Sequence, residues 1–394
     1  MFKRASINRA SIYVLFALLT LAGAAPGYAQ SADLIVEKKV FELPSYTTVA
    51  GATIRNVRVG WEAAGTLNAD RSNAILITHF FSGTSHAFGR YNASDKVPGY
   101  WDSLIGPGKL IDTNKYYVIS SDTLVNLNVK APNVVTTGPA SIDPDTGKPY
   151  GMRFPVVSIR DFVRVQKALI DSLGIKKLHA VMGASMGGLQ AYEWAASYPD
   201  SVERIISIIA STGGDAFLIG WLDAWAAPIR LDPKWNGGDY YDKKAPLDGL
   251  KLSIELITLQ AEQYEWAAKA FGTAPAEADK DPAQAFGNRF KIEAALDAVA
   301  ASRAATSDAN SLLYLVKANQ LANTDPRRIK VPTLILYTPT DLIFFPPSIE
   351  ATARAIAASG THVETAQLVG PNGHLNGVLA VAQAADKIKA FLAR

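Results

Sequence analysis

Three short stretches of this chain carry residue types that can perform acyl chemistry together. The first is Gly183-Ala184-Ser185-Met186-Gly187, a G-x-S-x-G pattern set between an apolar run from Leu178 and a segment of helical spacing that reaches Trp194. A serine at the tip of so tight a strand-to-helix turn holds a strained backbone, and only small residues two before and two after it let strand and helix approach. The turn aims Ser185 Oγ out of the sheet and leaves the Met186 N–H at a helix N-terminus, where it can stabilise an oxyanion.

A serine hydroxyl is a poor nucleophile near neutral pH unless a base takes its proton and a third group orients that base. Beyond Ser185 the chain offers five histidines. His374, in the glycine-rich stretch Val369-Gly-Pro-Asn-Gly-His-Leu-Asn-Gly377, follows an expected strand and precedes the last helix, a setting that suits a base. His79 ends a buried strand and reads as a structural histidine. His179 begins the nucleophile's own strand at its wrong end, His362 sits in a surface turn, and His86 comes early in the chain. For the acid, Asp341 follows the strand ending at Tyr337, in Thr338-Pro-Thr-Asp-Leu-Ile-Phe-Phe-Pro-Pro347; its plainer reading is a turn cap, and the rival acid is Asp215. The order Ser185, Asp341, His374 is that of α/β-hydrolases, with each residue on a loop at the carboxyl end of a strand.

The elements that must hold these residues are legible as alternating strands and helices. Leu34–Leu43 and Thr53–Trp61 read as an antiparallel edge pair around a Gly51 turn. Ala74–Thr78, Lys115–Ser121, the run before Ser185, Val202–Ala210, Val331–Tyr337 and Thr361–Leu368 read as further strands. Ser158 to Leu173 reads as an amphipathic helix closed by Gly174, and Leu379 to Leu392 as the closing helix. The alternation reads as a mostly parallel doubly wound sheet, and with the order Ser185, Asp341, His374 the expected fold is the α/β-hydrolase fold. Between Asp215 and Thr324 strand signals vanish, tryptophans gather, and Ala-rich segments such as Ala276 to Ala305 show helical spacing. The expected organisation is a core of residues 30–214 and 325–394 interrupted by a helical lid over 215–324.

The chain resembles the homoserine O-acetyltransferase family through Trp101–Lys109, Thr146–Gly151, Phe154–Asp161, Gly183–Trp194, Asp232–Tyr240, Asp308–Ser311 and Phe344–Pro347. The resemblance implies the same nucleophile, acid and base at Ser185, Asp341 and His374. It places the oxyanion donors at the backbone N–H groups of Phe81 and Met186, under a helical lid that often forms a homodimer. Three positions depart from it. Ala226 stands where the family carries an arginine for the homoserine carboxylate, with Arg230 one helical turn on as a substitute. Leu375 replaces an acidic residue after the histidine, and Leu312 a tyrosine. The exchanges point to a less polar substrate.

Composition bounds the rest. Lys3, Arg4 and Arg9 precede an uncharged apolar run from Ile12 to Ala25, then Gly27-Tyr28-Ala29, the pattern of a secretory signal peptide over 1–29 cleaved after Ala29. Its loss takes the 39 basic residues to 36, equal to the 36 acidic ones, so nothing calls for nucleic acid or for a membrane surface after cleavage. The chain has no cysteine, which excludes a thiol nucleophile, thiolate metal sites and disulfides. No metal or bound cofactor is expected. The sequence therefore leads to a periplasmic or secreted serine hydrolase acting on a small-molecule ester. The alternative is an O-acetyltransferase that uses acetyl-CoA, a cytosolic compound, as co-substrate for an alcohol.

Overall fold

A computed structural model describes residues 34–394; the signal peptide expected over 1–29 lies outside the described residues. The centre is an eight-stranded sheet in the order β1-β2-β6-β3-β7-β8-β9-β10. Its strands are β1 (Lys39–Thr47), β2 (Thr53–Ala64), β3 (Ala74–Thr78), β6 (Tyr117–Ser121), β7 (Ala180–Ala184), β8 (Ile205–Ile208), β9 (Thr333–Tyr337) and β10 (Val363–Gln367). A two-stranded parallel pair, β4 (Ile105–Gly106) and β5 (Ile111–Asp112), lies apart from it. Only β2 runs against its neighbours, pairing antiparallel with β1 and β6; every other pairing in the large sheet is parallel.

Period-two alternation explains how this sheet feeds two cores. In β3, Ala74 and Leu76 enter one apolar cluster while Ile75 and Ile77 enter the other, and all four are fully buried. The first cluster is covered by α1 (Ile159–Ser172) and α2 (Met186–Ser197), the second by α10 (Ala385–Leu392). Helix α1 begins at Ser158, where Asp161 accepts from the Ser158 N–H at 2.7 Å, and it ends before Gly174 at φ +68°.

Between β8 and β9 the described chain runs through α3 (Ala216–Leu231), α4 (Leu247–Ala261), α5 (Tyr264–Ala270), α6 (Lys291–Ala304) and α7 (Ala309–Gln320); α8 (Pro346–Ala358) and α9 (Asn376–Leu379) follow later. Three expectations need correction. Strand β1 starts at Lys39 and continues past Pro44 to Thr47, because an edge strand tolerates a residue without an N–H. Its facing residue Asn56 adopts φ +53°, and no pairing is made there. The helical spacing seen from Ala276 yields a helix only from Lys291; Pro282, Gly287 and the Asp281 and Asn288 turn bonds hold the preceding segment in loops. The closing helix is broken into α9, a short 3-10 turn and α10.

Candidate active site

Ser185, Asp341 and His374 leave the carboxyl ends of β7, β9 and β10, strands adjacent or nearly so in the sheet, and their loops converge above it. Ser185 Oγ–H donates to His374 Nε2 at 2.9 Å, and His374 Nδ1–H donates to Asp341 Oδ2 at 2.8 Å. The other carboxylate oxygen, Oδ1, accepts from the Ile343 and Phe344 N–H groups at 2.8 and 2.9 Å, which fixes the acid's orientation. All three residues are buried, with 8%, 2% and 5% of their surface exposed. The Phe344 ring lies over the imidazole at 6.0 Å between centroids, tilted by 24°. Asn376 ties the histidine loop to the acid loop, donating to Gly370 O at 2.9 Å and Thr338 Oγ1 at 3.2 Å.

The strand-to-helix turn has the strain its sequence implies. Ser185 sits at φ +57°, ψ −121°, a conformation that costs a side-chain-bearing residue of order 1–3 kcal/mol. A Cβ on Gly183 would collide with Thr78 Oγ1, and one on Gly187 with the Thr78 carbonyl, because β3 pairs directly with β7 there. Both glycines are thus demanded by close approach. The loop leaving β3 carries Phe81 to the same pocket as Ser185. Phe81 and Met186 are buried, and among the described residues neither backbone N–H has a hydrogen-bond partner, so both donors are available beside the serine.

The remaining histidines are occupied elsewhere. Buried His79 donates from Nδ1 to Phe80 O at 2.8 Å while Nε2 accepts from Thr123 Oγ1 at 3.3 Å, and burial pushes its pKa down, so the neutral ring braces the loop. His179 bonds Glu203 and Leu392, His362 bonds Glu364, and His86 bonds Glu62. Asp215 caps α3, accepting from Phe217 N–H at 2.7 Å. Arg230 pairs with Asp223 at 2.8 Å on the exposed side of α3, so it does not take the place vacated at Ala226.

Sequence reasoning missed the support behind the Phe81 loop. Lys38 lies 2.7 Å from Glu62 and 3.7 Å from Asp122, all three being buried or nearly so. Asp122 accepts from Ser85 N–H at 2.8 Å, and Glu62 accepts from Tyr91 Oη–H at 2.6 Å and bonds His86 Nδ1 at 3.0 Å. Burial raises the Asp122 carboxyl; burial also opposes ionisation of Glu62, but its bonds to His86, Lys38 and Tyr91 outweigh that and hold it below the usual range. No local pattern announces a cluster assembled from β1's approach, β2 and the turn after β6.

The pocket in front of Ser185 is mostly apolar. Leu218, Leu222 and Trp225 present one face of α3 to it, and Leu375 and Phe344 close the opposite side. Of Trp221, Trp225 and Trp235, only Trp225 lines this space, its Nε1–H bonded to Gln260 Oε1 at 2.8 Å. Trp235 donates to Asn310 at the start of α7, and Trp221 is exposed.

A family model described as the α/β hydrolase fold matches residues 131–377. A homoserine O-acetyltransferase of Methanosphaerula palustris is 38% identical over 351 residues, covering 87% of this chain and 70% of the relative. Among solved structures, esterase E22 is 48% identical with a TM-score of 0.87, covering 91% of this chain and 100% of that one. The homoserine O-acetyltransferase from Bacillus anthracis is 37% identical with the same TM-score of 0.87, covering 92% and 98%. A strained nucleophilic serine, an imidazole within reach of it and a carboxylate behind the imidazole are what serine-based acyl transfer requires, and the relatives' names agree with it. This chain belongs to the α/β-hydrolase-fold family, among the homologues of the homoserine O-acetyltransferases, and is an acyltransferase or hydrolase enzyme.

Proposed function

We propose that Ser185, His374 and Asp341 form a catalytic triad that carries an acyl group, and that the acceptor is an alcohol, as in the relatives named homoserine O-acetyltransferase. The observation that carries the triad is the unbroken chain of hydrogen bonds at 2.9 and 2.8 Å from Ser185 through His374 to Asp341. In the first half-reaction His374 Nε2 takes the Ser185 proton as Oγ attacks the acyl carbonyl. The tetrahedral oxyanion is met by the Phe81 and Met186 N–H groups. The bond to the leaving alcohol or thiol then breaks, His374 delivers its proton to that group, and the acyl-serine remains. In the second half the acceptor gives its proton to His374, attacks the acyl-serine and leaves as the new ester, and Ser185 regains its proton. Asp341 holds the Nδ1–H tautomer and balances the imidazolium charge.

Sequence reasoning ranked hydrolysis first; the curated relatives give transfer the stronger support. Hydrolysis, with water as acceptor, is the second reading. It is favoured by the apolar Leu375 beside the imidazole, by Ala226 in place of an arginine, and by the likeness to esterase E22. The two part on the fate of the acyl group from a short-chain p-nitrophenyl ester supplied with and without homoserine. Capture by homoserine supports transfer; release as free acid at the same rate in both cases refutes it and leaves hydrolysis.

Two further readings belong to this proposal. The basic and apolar leader supports export of the chain, in which case an ester rather than acetyl-CoA is the donor; N-terminal sequencing of the exported protein tests it. Exposed Phe217, Trp221 and Leu252 on the lid helices support a homodimer through the lid, checked by light scattering of wild type against Trp221→Glu.

A further inference from the structure

The Phe81 and Met186 N–H groups belong to separate pieces of backbone, the loop after β3 and the first turn of α2, and a single side chain bonds to both pieces. Gln190, fully buried one turn into α2, donates through Nε2 to His79 O and to Met186 O, each at 3.1 Å. Its Oε1 accepts from Gln166 Nε2 on α1 at 2.7 Å, and Gln166 Oε1 accepts from the Trp194 Nε1–H at 2.9 Å. The direction of this chain of bonds is set from both ends. An indole N–H only donates and the two carbonyls only accept, so neither amide turns over without facing like against like. On the Phe81 side the next carbonyl, Phe80 O, accepts from His79 Nδ1–H and from Gly83 N–H, both at 2.8 Å. That peptide is trans, so holding Phe80 O points the Phe81 N–H to the opposite side. Gln190 anchors the peptide just before it. An apolar side chain would fill this core position with no polar group to satisfy, whereas a buried amide is tolerated only where its hydrogen bonds are met. Here both of its N–H groups are spent on the two donor segments. Thr78 Oγ1–H, donating to Gly187 O at 2.9 Å, ties the same segments closer to the sheet.

We propose that Gln190 is a positioning residue of the oxyanion hole: its amide holds the Phe81 and Met186 N–H groups at a fixed separation and direction, and so assists the tetrahedral stage of acyl transfer without adding to ground-state binding. This rests on the acyl-transfer reading above and names a residue behind its donors. The test compares wild type with Gln190→Met and Gln190→Glu in three readouts: kcat/KM for p-nitrophenyl pentanoate, inhibition by trifluoromethyl butyl ketone, and inhibition by methyl butyl ketone. Ser185 Oγ adds to the carbonyl of the trifluoromethyl ketone, its proton passes to His374 Nε2, and the ketone oxygen becomes an oxyanion; the methyl ketone binds without forming the adduct. Active sites are counted by the end point of fluorophosphonate labelling, so unfolded protein does not enter the rates. Gln190→Met lowers kcat/KM by about 10- to 100-fold, less than outright loss of a donor because Thr78 remains, and weakens the trifluoromethyl ketone by a similar factor, while inhibition by the methyl ketone stays within about twofold. Gln190→Glu, whose neutral carboxyl keeps one of the two donors, falls between. Should Gln190→Met not fold, Gln190→Glu decides alone, with an expected loss of about 3- to 10-fold in the first two readouts. Unchanged kcat/KM, or a loss shared equally by the two ketones, overturns the proposal, and so does a kcat/KM loss with full affinity for the trifluoromethyl ketone. A Ser185→Ala control separates this from the reading beneath it. Turnover or tight trifluoromethyl ketone binding surviving there sinks the acyl-serine mechanism, whereas Ser185-dependent behaviour that ignores Gln190 sinks the positioning role alone.

Discussion

Replacing Ser185 by glycine and by alanine weighs the strain stored at the turn. Both variants lose the hydroxyl and its 2.9 Å hydrogen bond to His374, so that loss cancels in the comparison. They differ in the Cβ. At φ +57°, ψ −121° an alanine keeps the penalty of a side-chain-bearing residue, about 1–3 kcal/mol, and glycine sheds it. Glycine in turn loses about 0.5–1 kcal/mol through the freedom of its unfolded chain. The balance leaves Ser185→Gly more stable than Ser185→Ala by about 1 kcal/mol, and by no more than about 2.5 kcal/mol, the reverse of the order found in an ordinary helix or strand. Urea denaturation of the two variants, read as midpoints at equal slope, measures the difference. Both proteins are inactive in acyl transfer. If Ser185→Ala proves as stable as Ser185→Gly, or more so, the turn does not hold the strain assigned to it.

Removing the base by His374→Ala lowers kcat by about 10^6-fold, and Asp341→Asn, which disturbs the tautomer but leaves the oxyanion donors, by about 10^4-fold; steady-state kinetics that show less than a tenfold loss in either contradict the triad. Lys38→Met takes the lysine cation away from buried Glu62 and Asp122 while their bonds to His86, Tyr91 and Ser85 remain, costing about 3–5 kcal/mol in denaturant and lowering activity through the Ser85–Asp122 anchor of the Phe81 loop; an unchanged midpoint refutes that support. Glu262, whose Oε2 has no hydrogen-bond partner and whose backbone packs against Gly373 beside the base, has its carboxyl pushed up to about 8 by burial. Its folded pKa is raised, so above about 4.5 the unfolded chain ionises while the native carboxyl stays neutral, and stability falls as pH rises toward about 8. Glu262→Gln removes this dependence, narrowing the loss between pH 5 and pH 8 by up to about 4 kcal/mol; parallel pH profiles for the two proteins contradict it.

The nucleophile's turn was readable because it lies where the apolar period changes from that of a strand to that of a helix, and because the collisions with Thr78 leave only glycine at 183 and 187. The base was readable because few histidines compete and only His374 lies in a glycine-rich loop after a late strand. Other features depend on tertiary approach. Arg303, in an Ala-rich helix, has the local signature of a solvated surface cation, and only the placement of α6 over the pocket turns it inward. Lys38, Glu62 and Asp122 are scattered in sequence and meet only when β2 pairs with β6. Arg230 was a reasonable substitute for the arginine missing at 226, but Asp223, seven residues earlier on α3, holds it on the outer face. The extension of β1 through Pro44 was hidden because a proline signals a strand's end unless the strand is known to be an edge.

The proposed mechanism requires that Ser185 carry the acyl group between donor and acceptor. Its most direct test is to mix the protein with a short-chain p-nitrophenyl ester, quench in acid within the burst of nitrophenolate release, and map the acyl adduct by peptide mass spectrometry. The adduct is predicted on Ser185 and absent from Ser185→Ala. An acyl group found on another residue, or a burst of equal size in Ser185→Ala, contradicts the claim.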